Sequence, residues 1–230
     1  GTVYLVGAGP GAPGLITVRR LMLLRRADVV VYDRLVAREL LHEARDGAEL
    51  VYAGKSRGGE ALSQEEIGAL LIARAKRGLC VVRLKGGDPY VFGRGFEEFS
   101  ACRAAGVPCV VVSGVTSAIA APCAAGIPIT SRKQVRSVAI VTGTAARESE
   151  SPALDFAALA KIDTVIVLMG RENLAEIAAS LVAGGRDAST PAAVIQSGTT
   201  TTQRVVCGTL GTIARLVDEA RLSPPVVTVV

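Results

Sequence analysis

The chain has no tryptophan, one histidine and only eight phenylalanines and tyrosines in 230 residues. Aromatics this scarce leave little surface on which bases could stack. No clustered basic helix accompanies them, so a nucleic-acid partner is disfavoured. The one histidine, His42, lies in a helical pattern of surface type, so no metal centre is expected. Proton transfer near neutral pH then falls to a perturbed Asp, Lys or Tyr, or to an arginine-supported water. The five cysteines (Cys80, Cys102, Cys109, Cys123 and Cys207) are odd in number and form no Cys-x-x-Cys pair. With four in apolar surroundings, they read as reduced, mostly buried thiols of a cytoplasmic protein. No apolar run approaches the roughly 18 residues of a membrane helix, and the start carries no signal-peptide pattern. A membrane partner is therefore not expected. The chain begins at Gly1 without a Met, which suggests a trimmed or excised protein. No internal repeat or low-complexity segment is found.

What is present is a chain half apolar, with a formal net charge of +5 and a pI near 9.1. That excess suits an acidic substrate. Apolar strands alternate with helical spacing along the first half. Strands are expected at Thr2–Gly7, Asp28–Tyr32 and Glu49–Tyr52, at the segment ending in Lys85, and at Cys109–Val112. Helices are expected over Leu15–Arg26, Arg38–Ala44, Gln64–Arg77 and from Phe96 to Ala105, with Ser63 and Glu66 forming a capping box before the third. This alternation predicts a mostly parallel five-stranded sheet covered on both faces. An alanine-rich helix over Thr116–Ala125 follows, and the rhythm then changes. Strands at Ser137–Val141, Thr164–Leu168, Ala192–Gln196, Arg204–Cys207 and Val226–Val229 accompany helices near Glu172–Val182 and Leu210–Ala220. The short link from Ser197 to Thr202 predicts an antiparallel hairpin, hence a mixed second sheet. The expected organisation is two α/β domains, 1–114 and 115–230, meeting near Ser113–Val115.

The densest signal is Val81-Val82-Arg83-Leu84-Lys85-Gly86-Gly87-Asp88-Pro89-Tyr90-Val91-Phe92-Gly93-Arg94-Gly95. It reads as a strand entering a long glycine-rich loop, and Tyr90, Phe92, Phe96 and Phe99 supply four of the chain's eight aromatics there. Loops that long and that decorated are more often sites than spacers. The earlier Gly7-Ala8-Gly9-Pro10-Gly11 also follows a strand, but Ala12 occupies the third glycine position of a dinucleotide fingerprint, and Pro10 and Pro13 stiffen the loop. Asp33 and Lys55 follow strands at the ends where ligands bind in open parallel sheets. Each also has a plain alternative: Asp33 as a helix cap, Lys55 as a solvated cation. Thr116 reads by default as an N-cap, Met169 as a core residue and Gly198 as a turn glycine. The stretch Thr130–Arg136 holds Arg132, Lys133 and Arg136 with no acid among them.

Taken together, the motifs match a known family in order. They are Gly7-Ala8-Gly9-Pro10-Gly11, Tyr32-Asp33-Arg34-Leu35-Val36, Gly54-Lys55 with Gln64-Glu65-Glu66-Ile67, Arg83 through Gly95, Gly114-Val115-Thr116-Ser117-Ala118, Gly126-Ile127-Pro128-Ile129-Thr130, Val141-Thr142-Gly143, Met169-Gly170 and Gln203-Arg204-Val205-Val206. The chain closely resembles the uroporphyrinogen-III C-methyltransferases, within the tetrapyrrole methylase superfamily, over essentially its whole length. The resemblance implies two α/β domains with an active-site cleft between them, usually in a homodimer. It implies S-adenosyl-L-methionine as cofactor, held by Pro10, Gly86, Gly87, Asp88, Val91, Thr116, Ser117, Met169 and Gly198, with S-adenosyl-L-homocysteine released. Asp33 matches the family's proton acceptor and Lys55 its proton donor. The implied reaction is methylation of uroporphyrinogen III at C2 and C7, giving precorrin-2 for sirohaem or cobalamin. Arg34, Arg57, Arg94, Arg132, Lys133 and Arg136 are the candidates for contacting the carboxylates of that anionic tetrapyrrole. The alternatives are a methylase of a later precorrin and a cofactor-binding module without turnover. The second is prompted by departures from the family pattern: Glu60, Ser131 and Thr144 stand where histidines are usual, Ala124 where a tyrosine is, and Ser63 and Ser113 where prolines are.

Overall fold

The computed structural model describes residues 1–54, 62–144 and 153–230. They form two compact units, Gly1–Thr116 and Ser117–Val230. In the first, β1 (Thr2–Gly7), β2 (Val29–Tyr32), β3 (Glu49–Tyr52), β4 (Cys80–Lys85) and β5 (Cys109–Val112) make one sheet in the order β3-β2-β4-β1-β5. Every pairing in it is parallel. The helices α1 (Val18–Leu24), α2 (Gln64–Lys76) and α3 (Gly95–Ala104), with short 3-10 turns at Pro13–Leu15 and Arg38–Glu43, cover its faces.

Strand periodicity sorts the side chains between two layers. Val3, Leu5, Val29, Val31 and Val81 pack with Ile67, Leu71 and Ala75 of α2 and Cys102 of α3. Val6, Val30, Val82 and Leu84 pack on the other face with Leu24 of α1 and Leu40. The chain leaves β1 toward β2 through α1 on one face, and leaves β4 toward β5 through α3 on the opposite face. Adjacent strands whose connections run in opposite directions define a topological switch point, here between β1 and β4. Outside the carboxyl ends of such strands an α/β sheet opens a crevice.

The second unit contains α4 (Ser117–Ala124), β6 (Val138–Thr142), α5 (Phe156–Leu159), β7 (Thr164–Leu168), α6 (Leu174–Ala183), β8 (Pro191–Gln196), β9 (Arg204–Thr209), α7 (Ile213–Glu219) and β10 (Val226–Val229). Its sheet order is β6-β7-β10-β8-β9. β6 and β7 are parallel, whereas β10 is antiparallel to β7 and β8, and β8 and β9 form the antiparallel hairpin. The mixed sheet is thus as expected. Because β10 runs against both its neighbours, β6, β7 and β8 point the same way, and their carboxyl ends share one edge.

Several elements depart from the expected extents. The helix of Leu15–Arg26 is α-helical only over Val18–Leu24, because Pro13 starts a separate 3-10 turn. Arg38–Ala44 forms a 3-10 helix. The short α5 carried no strong periodicity and was not anticipated. The cysteines also correct the expectation: Cys102 is buried, Cys80 and Cys109 are partly so, and Cys123 and Cys207 are exposed, all as free thiols. Cys207 lies on the edge strand β9, most of whose residues are at least partly exposed, so apolar neighbours in sequence did not translate into burial.

Candidate active site

At the switch point three loops meet. Gly9 and Gly87 form an isolated bridge, with Gly87 N–H donating to the Gly9 carbonyl at 2.7 Å and Gly9 N–H to the Gly87 carbonyl at 3.3 Å. The loop after β5 closes on the same point: a Cβ on Gly114 would lie 1.8 Å from the Gly87 carbonyl oxygen. No side chain fits there, and Gly87 itself has φ +66°. Asp88 ties the junction together, its Oδ2 accepting from Gly114 N–H and its Oδ1 from Tyr90 N–H, at 2.7 and 2.8 Å. From beneath, buried Arg20 donates from Nη1 to the Gly7 carbonyl at 2.6 Å. Gly86 faces Leu35 of the loop after β2. Pro10, Gly86, Gly87, Asp88 and Val91 are therefore all half-buried at one sheet edge.

The loop beyond is conformationally strained. Phe92 and Arg94 have φ of 51° and 56°, a left-handed geometry that costs of order 1–3 kcal/mol for a side-chain-bearing residue and concentrates at functional sites. Tyr90, Phe92 and Phe96 are exposed there. Arg94 is exposed but shares its guanidinium with Glu97 through two hydrogen bonds of 2.9 and 2.7 Å, which hold the Glu97 carboxyl below its usual range.

Asp33 lies at the carboxyl end of β2, beside β4. Its Oδ1 accepts from Arg83 Nη2 at 2.7 Å, and about a third of the side chain is exposed. Its carboxylate is therefore engaged across the sheet by an arginine, and the cap reading is set aside: the 3-10 turn that follows has Ala37 at its N-cap. The arginine was missed in the sequence, where it reads as one more strand residue. The available signal was parity. Val81, Arg83 and Lys85 share a face of β4, so two cations continue a buried apolar row. Arg83 Nε and Lys85 Nζ both reach Glu98 Oε1 of α3, at 3.1 and 2.9 Å. Lys85 is thus buried in this cluster, and burial together with the nearby Arg83 depresses its pKa. It does not flank the loop as a free cation.

In the second unit, Met169 and Gly198 lie just past the carboxyl ends of β7 and β8. Met169 ends β7 with φ 54° and is half-exposed, and Ser197 and Thr199 flank Gly198 with φ of 48° and 71°. Met169 is consequently no core residue. Gly198 is more than a turn glycine, because a Cβ there would come within 2.4 Å of Ala121 Cβ on α4. Thr144, one of the departures, donates from Oγ1 to the Met169 carbonyl at 2.8 Å and so fastens the β6 and β7 ends to each other. Thr116 and Ser117 sit half-buried at the start of α4. Arg132 and Lys133 are exposed on a turn closed by a Ser131–Val135 bridge, and Arg136 is exposed just beyond it, its backbone N–H on Asp163 Oδ2 at 2.8 Å. Arg34 is exposed after β2. Lys55, Arg57 and Glu60 lie outside the described residues.

Within the first unit, the carboxylate of Asp88, the close-approach backbone of Gly86-Gly87 and the apolar Pro10 and Val91 lie at one sheet edge, a set of groups chemically suited to a sulfonium amino acid bearing a nucleoside. The comparisons point the same way. The chain is 47% identical over 231 residues to a uroporphyrinogen-III C-methyltransferase of Methanocaldococcus jannaschii, covering all of this chain and 95% of that protein. It is 48% identical to a siroheme synthase of Chromobacterium violaceum, of which it spans only 49%. Its fold superposes with a TM-score of 0.83, at 40% identity and over 100% and 96% of the two chains, on the crystal structure of uroporphyrin-III C-methyltransferase from Thermus thermophilus complexed with S-adenosyl homocysteine. The family model of the tetrapyrrole (corrin/porphyrin) methylases matches residues 2–214. By that match and those identities, this chain belongs to the tetrapyrrole methylases.

Proposed function

We propose that the chain is an S-adenosyl-L-methionine-dependent methyltransferase that methylates uroporphyrinogen III at C2 and C7, giving precorrin-2 by way of precorrin-1. The observation that carries the acceptor's identity is the full-length 47% match to a protein of that name. When bound, the cofactor supplies an already activated methyl group, so the protein's task is mainly alignment. Asp88 and the Gly86-Gly87 backbone orient its polar end, and Pro10, Val91, Met169 and Gly198 accept its apolar and ring portions. Attack by a pyrrole carbon leaves the acceptor with an extra positive charge, and loss of a proton from the acceptor returns it to its original charge. Asp33 takes that proton. Its carboxylate is oriented through Oδ1 by Arg83 and remains accessible at the sheet edge. Lys55 serves as proton donor. Arg34, Arg57, Arg94, Arg132, Lys133 and Arg136 receive the acceptor's carboxylates, as a homodimer of a soluble, cytoplasmic enzyme.

The test is incubation with S-adenosyl-L-methionine and freshly reduced uroporphyrinogen III, followed by mass spectrometry. A product heavier by two methyl groups is expected, with two equivalents of S-adenosyl-L-homocysteine. Cofactor binding without consumption would instead favour a module without turnover, and turnover only on a methylated precorrin would identify a sister methylase.

A further inference from the structure

The buried cluster behind Asp33 contains one group that neither the fold nor the proposed chemistry accounts for. Glu98 is wholly inaccessible, and its Oε1 takes both cations of β4 while its Oε2, equally buried, has no hydrogen-bond partner among the described residues. A half-satisfied buried carboxylate is costly, and a well-packed apolar residue at such a place is often neutral or stabilising. Stability alone therefore does not explain it. Its geometry does. Arg83 Nε is anchored on Glu98 and Arg83 Nη2 on Asp33, so one planar guanidinium transmits the position of α3 to the carboxylate at the sheet edge. Arg83 Nη1 adds weaker contacts of 3.4 Å to the Val31 and Leu84 carbonyls.

Resting on the reading of Asp33 as proton acceptor, we infer that Glu98 is a positioning residue for it: through Arg83 it holds the carboxylate in place, and with Lys85 it balances the buried charge around it. Two cations and two carboxylates cancel in this cluster. The other titratable groups facing it are Cys102 on α3 and Cys109 on β5, near Glu98, and the Arg94–Glu97 pair, with Glu65 of α2 facing Arg94. Removing the charge of Glu98 leaves Arg83 and Lys85 opposed by Asp33 alone. A net cation beside a carboxylate favours its ionised form.

Glu98→Gln is therefore expected to move the acid limb of the kcat profile down by about one pH unit and to lower plateau kcat about tenfold. Affinity for S-adenosyl-L-methionine, measured by calorimetry, stays within about twofold, since the side chains of the cluster bond to one another and to the Val31 and Leu84 carbonyls. Lys85 and Glu98 are an ion pair at 2.9 Å, so removing both leaves the net charge of the cluster unchanged. The neutral pair Lys85→Met with Glu98→Gln accordingly returns the limb to its wild-type position. An unmoved limb in Glu98→Gln with plateau kcat within twofold would overturn the inference, as would a loss of cofactor affinity parallel to the loss of kcat. If Glu98→Gln does not fold, Glu98→Asp gives the answer: the charge is kept but withdrawn by one methylene, so the limb stays and kcat falls. A displaced limb there overturns the inference. Asp33→Asn separates the two readings. If it keeps the acid limb and full kcat, Asp33 is not the acceptor. If it loses both while Glu98→Gln behaves as wild type, only the role of Glu98 fails.

Discussion

Arg83, Gly114 and Asp163 show how differently single residues are placed by the same fold. Arg83 is 2% exposed in the middle of a parallel strand and lives there because Glu98 and Asp33 neutralise it from two elements. Truncating it to Met would leave Glu98 sharing only Lys85, and breaking a buried ion pair from one side costs roughly 3–5 kcal/mol; urea unfolding of Arg83→Met checks this. Gly114→Ala has no space for its methyl against the Gly87 carbonyl. It should separate the loops that frame the candidate cofactor site and weaken S-adenosyl-L-methionine binding at least tenfold in calorimetry. Asp163 accepts from the backbone N–H of Arg136 and Ser137 and from the Ser137 hydroxyl, which hold its carboxyl below the ordinary range. A depressed carboxylate stabilises the fold above its unfolded pKa, and that contribution is lost as pH falls through the folded value. Asp163→Asn should therefore make stability less steep in pH below about 4, as acid titration of the melting temperature would show. At this scale the sequence was only partly legible. Asp33 and Asp88 follow strands and announce themselves. Glu98 does not, because its partners are 13 and 15 residues away and meet it only through the rotational setting of α3 on the sheet.

At the scale of elements, local chemistry was the better guide. Ser63 and Glu66 form both halves of the capping box at α2, with Glu66 N–H on Ser63 Oγ at 3.1 Å and Ser63 N–H on Glu66 Oε2 at 2.7 Å. Ser63→Ala should cost about 0.5–2 kcal/mol, read from denaturant midpoints, while leaving cofactor affinity unchanged. Ser63 is also one of the departures from the family pattern, and its cap supplies a local reason for a serine there. Strand periodicity and the hairpin between β8 and β9 were equally readable. What local pattern misjudged was extent and exposure: proline shortened the first helix, and edge position exposed Cys207 although its neighbours are apolar.

For the whole molecule, the net charge of +5 matters through the acceptor. A polycarboxylate drawn to exposed Arg34, Arg94, Arg132, Lys133 and Arg136 should be held partly by long-range attraction, which salt screens over about 10 Å at 0.1 M. The KM for uroporphyrinogen III is expected to rise several-fold between low and physiological ionic strength, with kcat nearly constant; steady-state kinetics across a salt series checks this. The same series should leave cofactor affinity almost flat, because its assigned contacts carry one carboxylate and otherwise backbone and apolar groups.

The glycine-rich loops, their order and the strand–helix alternation were determined by the sequence itself, because backbone freedom, capping and periodicity act over a few neighbouring residues. These were enough to place the chain in its family and to mark the sheet edge as the candidate site. Only the tertiary structure decided which groups share that edge. The loop of Gly86-Gly87-Asp88 closes on Gly9 and Gly114 because β1 pairs in register with β4 on one side and β5 on the other, not because the three segments are near in sequence. Asp33 is held by Arg83 for the same reason, since β2 and β4 are neighbours in the sheet though 50 residues separate the two side chains. Pairing between strands is a long-range choice, and the chemistry at their ends is settled by it.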